Sequence, residues 1–91
     1  MRLDIFLKLS RLISKRTVAK EYTKAGQVEV NGKTAKSSYE VKESDLIAIR
    51  RRNSTTTVKV LAVPSGKQVS KKNAGELYEL LAHEEKDPLS E

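Results

Sequence analysis

The sequence predicts a small α+β domain: two helices, a run of short strands, and a short helix at the end. Three observations carry that reading. Leu3, Phe6 and Leu7 recur at the spacing of an amphipathic helix. Val28 and Val30 alternate with Gln27 and Glu29, the period of a half-buried strand. Asn31-Gly32 follows at once, and both residues tolerate the positive φ of a type I′ hairpin turn. At 91 residues the chain has room for one such domain, with thin stability.

The elements follow in order. Asp4 lies in the first turn of helix one, where a carboxylate suits the positive end of the helix dipole. That helix should end near Ser10 or Leu12. Ser14 suits the N-cap of a second helix over 15–25, with Val18, Tyr22 and Ala25 on its buried side and Ala19 alongside. Gly26 is placed to stop it in the left-handed conformation. After the Asn31-Gly32 turn the chain returns through Lys33-Thr34-Ala35, and a loop with Ser37 and Ser38 leads to Val41. Asp45 to Arg50 forms the next strand, Leu46 and Ala48 facing one way, Ile47 and Ile49 the other. Asn53-Ser54 turns into a β-rich stretch from Thr55 to Val63. These elements place the main domain at 1–63. Pro64-Ser65-Gly66 begins a basic linker over 64–73. Asn73 with Glu76 resembles a capping pair ahead of Leu77, Leu80 and Leu81, which predicts a helix over 74–82. An acidic tail over 83–91 should be disordered.

Charge is unevenly distributed. Residues 1–75 hold 17 of the 18 Lys and Arg and 6 of the 12 Asp and Glu, a net of +11, while residues 76–91 carry −5. A body this basic favours a polyanion, RNA ahead of DNA. An anionic membrane fits less well, because no amphipathic helix has a broad apolar face. No apolar run approaches the roughly 20 residues of a membrane span, and the charged N-terminus has no signal-peptide h-region, so a cytoplasmic protein is the default. There is no cysteine, and His83 is the one histidine, placed beside the acidic tail. No Gly-rich phosphate loop is present. A non-enzyme with no catalytic residue, metal or cofactor is therefore expected.

The binding candidates are cationic. Arg16, Lys20 and Lys24 form an i, i+4, i+8 stripe about opposite the expected buried face. Arg2, Lys8, Arg11 and Lys15 extend it. Arginines clamp phosphate oxygens bidentately and lysines act as point charges, so a phosphate backbone suits this surface. Arg50, Arg51 and Arg52 are a secondary candidate, equally readable as a charged strand edge that blocks aggregation. Tyr39, in a loop, is a candidate for stacking on a base, but there is no aromatic platform. Recognition of structured RNA by shape and phosphates fits best.

Several separated pieces occur in a familiar order. Arg2-Leu3-Asp4 with Leu7, then Arg16 and Ala19, then Gly26, Val28, Val30, Asn31 and Gly32 resemble the S4 RNA-binding domain, whose pattern runs R-L-D-x-x-L, R-x-x-A, G-x-V-x-V-N-G. The likeness spans roughly residues 1–50. Ser44 departs from it, standing where the family prefers glycine before Asp45. The resemblance implies two helices packed on a small, mostly antiparallel sheet, with Arg2 and Arg16 as the leading RNA contacts. Stand-alone members of this length imply more: a ribosome quality control factor on large subunits that still hold peptidyl-tRNA. There it would meet large-subunit rRNA and tRNA and support C-terminal alanine tailing with an RqcH-like partner. A monomer is expected. Ribosome recycling of the heat-shock type, an adaptor working through the acidic C-terminal helix, and binding to DNA remain open alternatives.

Overall fold

The computed structural model describes residues 1–64 and 74–85. Its elements are α1 (Leu3–Leu9), α2 (Arg16–Lys24), β1 (Val28–Val30), β2 (Lys33–Thr34), β3 (Leu46–Arg50), β4 (Ser54–Val60) and β5 (Tyr78–Glu85). The strands form one antiparallel sheet in the order β2-β1-β3-β4-β5.

A seven-residue helix does not persist alone in water, so α1 depends on its surroundings. Leu3, Phe6 and Leu7 are fully buried against the inward residues of the sheet, Val28, Ile47, Ile49, Val58 and Val60. Its first amides, which have no partner within the helix, donate to the loop between β2 and β3: Leu3 N–H to the Tyr39 carbonyl at 2.8 Å, Asp4 N–H to that of Ser37 at 3.2 Å. The helix is thereby locked to that loop as well as to the core.

Helix α2 begins one residue later than expected. Lys15 occupies the N-cap with an extended backbone, no side chain caps the helix, and Ser14 is exposed outside it. The C-terminus is as the glycine indicates. Gly26 has φ of +75°, its N–H donates to the Thr23 carbonyl, and Gln27 N–H donates to that of Tyr22, a Schellman closure. The buried face is rotated from the expected one. Ala19 and Thr23 are buried, Val18 and Tyr22 half-buried, and Ala25 exposed. The rotation has a polar cause. The Thr23 hydroxyl donates to the Lys20 carbonyl at 2.9 Å, and the Ser37 hydroxyl meets the Thr23 hydroxyl from the loop.

The β1–β2 hairpin turns at Asn31 and Gly32, with φ of +53° and +85° and Val30 opposite Lys33. Ser44, in the turn before β3, has φ of +73°. It adopts the left-handed conformation that glycine would supply without steric cost, while its N–H donates to the Val60 carbonyl at 2.8 Å.

The C-terminal segment differs from expectation. Tyr78–Glu85 is a strand paired with β4, where a helix over 74–82 is expected and the tail is expected to start at residue 83. The seven residues of β4 would otherwise leave a row of unpaired backbone groups, and strand pairing satisfies them. A register shift lets Leu80 pair with Val58 and Ala82 with Thr57, leaving Leu81 as the extra residue of a bulge. That bulge interrupts the period of two and leaves a leucine spacing that imitates a helix. The expected linker, from residue 65 on, and residues 86–91 of the tail lie outside the described residues.

Replacing Ser44 with glycine should raise stability by about 0.5–1 kcal/mol, the relief of left-handed strain less the added unfolded-state entropy. Chemical denaturation of the two proteins measures it, and an unchanged or lower midpoint contradicts the strain.

Candidate nucleic-acid interface

The site is built on a buried charge. Asp4 has no exposure, yet it is ionised among three donors. Its Oδ1 accepts from Arg2 Nε at 3.2 Å and from the Ile5 N–H at 2.9 Å, and its Oδ2 accepts from Arg16 Nε at 3.1 Å. Burial pushes this carboxyl up, but the hydrogen bond and charge of Arg16, and then those of Arg2, outweigh it and hold the group below the usual carboxylate value. The rotation of α2 makes the contact possible. At about 100° per residue, Arg16 lies about 60° round the helix from buried Ala19, at the edge of the packed face rather than opposite it.

Both guanidinium groups are attached through Nε. Among the described residues, their terminal nitrogens make no side-chain hydrogen bond, and each side chain is 43 % exposed. A guanidinium anchored at Nε keeps a two-donor fork for an oxyanion, and phosphate geometry matches that fork. Ile5, Lys8, Leu9 and Arg16 line a notch of about 120 Å³ between the helices. The structure therefore brings together Arg2, Lys8 and Arg16. Lys15, Lys20 and Lys24 are exposed on α2, and Arg11 is exposed at the turn after α1, with φ of +65°.

The second cluster separates. Arg51 donates through Nη2 to the Leu12 carbonyl at 2.7 Å and through Nη1 to Thr56 Oγ1 at 3.4 Å, bracing the turn after α1 against β4. Arg50 pairs with Glu29 across β1 and β3 at 3.2 Å, and Arg52 is exposed. Tyr39 is half-buried, its hydroxyl donating to Asp45 Oδ2 at 2.9 Å. His83 lies in β5, its Nδ1 at 2.8 Å from Thr56 Oγ1, rather than at the start of a free tail.

Residue type alone does not mark Asp4 and Asp45 as organisers, although both fall within the S4 pattern. Asp45 is buried and accepts from Asn31 Nδ2 at 3.1 Å, from Tyr39, and from the Lys42 N–H at 2.9 Å. Burial raises its pKa, but the Lys42 amide, then Asn31 and Tyr39, more than offset that, and the carboxyl is held low. Asn31 Oδ1 also accepts from the Leu46 N–H at 3.0 Å, so the turn asparagine ties the hairpin to β3.

A helix pair carrying forked arginines over a buried carboxylate, packed on a small antiparallel sheet, defines a compact RNA-binding module. The S4 domain family model matches residues 1–47. The chain is 44% identical over 82 residues to the RQC P-site tRNA stabilizing factor of Streptococcus pneumoniae, covering 90% of this chain and 91% of that one. It is 40% identical over 84 residues to the protein of the same name from Bacillus subtilis, covering 92% and 95%. Among solved structures, Vibrio cholerae Heat Shock Protein 15 superposes with a TM-score of 0.79 at 26% identity, covering 90% of this chain and 82% of that one. The chain belongs to the S4 domain family and, within it, to the RQC P-site tRNA stabilizing factors.

Asp4→Asn should cost about 2 kcal/mol, since the arginines lose a charge-assisted partner in a half-exposed setting. The pH dependence has a definite sign. Both carboxyls have folded-state pKa values below their unfolded ones, so their stabilisation is complete above about pH 4 and is lost as pH falls through the lowered values. Thermal melts from pH 7 down to pH 2 should show wild type losing this increment and Asp4→Asn losing less of it. Parallel curves contradict the assignment.

Proposed function

We propose that this protein is a non-catalytic RNA-binding factor of ribosome quality control, which stabilises tRNA in the P site of a stalled large subunit. The observation that carries the reading is the Asp4 carboxylate holding Arg2 and Arg16 by Nε, with each arginine side chain 43 % exposed. The +11 net charge of residues 1–75 supports it by favouring a polyanion, and the printed names of the curated relatives support the tRNA. In the finer reading, Arg2, Arg11, Lys15, Arg16, Lys20 and Lys24 grip phosphates of large-subunit rRNA and peptidyl-tRNA, with Lys8 and Arg52 at the margin. An RqcH-like protein then extends the nascent chain with alanine while this chain, as a cytoplasmic monomer, holds the tRNA. A second reading is a recycling role of the heat-shock type on the same kind of subunit, the alternative that the family resemblance implies. An adaptor role through the C-terminal segment has to be tested by charge changes at Glu79 and Glu84. Deleting residues 74–91 would remove β5 and uncover β4.

Arg16→Ala should weaken association with large subunits, and the slope of log K against log salt should fall by about 0.7–0.9, one phosphate contact. Arg16→Lys, which keeps the charge but has one nitrogen for both carboxylate and phosphate, should fall between the two. Co-sedimentation at several salt concentrations measures both. Undiminished co-sedimentation of Arg16→Glu contradicts the interface.

A further inference from the structure

A second concavity lies outside the arginine patch. Between the β1–β2 hairpin and the loop that follows is an open groove of about 650 Å³, a volume typical of ligand pockets. Its lining includes Val30, Ala35 and the Tyr39 ring, with Lys33, Lys36 and Ser38 also contributing, and no carboxylate lines it. Lys33, Lys36 and Ser38 are exposed.

The walls are fixed before any ligand arrives. Asp45 holds the Tyr39 hydroxyl and the Asn31 amide together, so the ring and the hairpin have a set separation. The loop is also tied to the helix pair, since the Ser37 and Tyr39 carbonyls accept from the first amides of α1 and the Ser37 hydroxyl meets Thr23 of α2. The groove is thus built onto the same rigid body as the arginine forks.

We infer that this groove takes an unpaired nucleotide of the bound RNA, its base against the Tyr39 ring and its flanking phosphates on Lys33 and Lys36. Apolar walls with an aromatic ring suit a base removed from its stack, and two cations without a competing carboxylate suit the backbone. A protein strand added to β2 is the other candidate occupant. With two residues, β2 offers too short an edge to hold one. The inference rests on the RNA-binding reading above and adds a ligand class to it.

The test compares two RNAs of equal phosphate number, a hairpin with unpaired loop nucleotides and a fully paired duplex. Wild type should bind the hairpin about tenfold more tightly, the value of one stacked base. Ser38→Leu, which fills the groove from an exposed position, should abolish that preference and leave duplex affinity unchanged. Lys33→Ala/Lys36→Ala should weaken hairpin binding more than duplex binding. Equal affinity of wild type for the two RNAs, or a preference that survives Ser38→Leu, overturns the groove assignment while leaving RNA binding intact. Binding to neither RNA overturns both readings. An extended peptide that shifts the amide resonances of residues 33–39, where the hairpin does not, replaces the nucleotide with a protein strand.

Discussion

The structure depends on one buried ion cluster. A carboxylate removed from water is costly, and a buried pair repays that cost only when its geometry is good and the remaining lone pairs are satisfied. Asp4 meets those terms with two guanidinium groups and a backbone amide. The contact joins the start of α2 to α1, so it helps to set the helix pair. It also engages Nε of each arginine and leaves the terminal nitrogens without a side-chain hydrogen bond among the described residues. Lysine, with a single nitrogen, cannot do both. Packing and the proposed RNA contact therefore draw on the same three side chains.

Asp45 performs the matching task at the β1–β2 hairpin. It gathers Asn31, Tyr39 and the Lys42 amide, and so fixes the hairpin against β3 and the loop from which α1 takes its first two hydrogen bonds. In a chain of net charge +6, Asp4 thus fixes two arginines, and Asp45 fixes the hairpin and loop beside them. The net charge attracts a polyanion at a distance, and the fixed geometry decides where phosphates can sit.

Features encoded by local backbone chemistry were legible in the sequence. The Asn31-Gly32 turn, the Gly26 stop and the placing of Ile47 and Ile49 on the face opposite Leu46 and Ala48 all follow from residue type and period, and each is found where expected. Features settled by contacts distant in the chain were not. Thr23 is buried because Ser37 meets it, and Ala25 is exposed because α2 rotates to make that contact. Arg51 was indistinguishable from Arg50 and Arg52 until its bond to the Leu12 carbonyl placed it in the framework. The leucines of the last segment read as a helix because a bulge hid the strand period, and the free edge of β4 lies far away in sequence. At the site, the arginines were visible as charge and through the S4 motif. Their anchoring was not, because Asp4 alone reads as an ordinary first-turn acid.

That anchoring can be tested through the sign of one effect. Asp4→Asn removes a negative charge from beneath a basic patch, which simple electrostatics would turn into tighter RNA binding. If orientation of the two forks matters more than net charge, affinity must fall instead. The decisive measurement is the affinity of folded Asp4→Asn for large ribosomal subunits at fixed salt. Weaker binding than wild type is predicted, and equal or tighter binding would contradict the clamp.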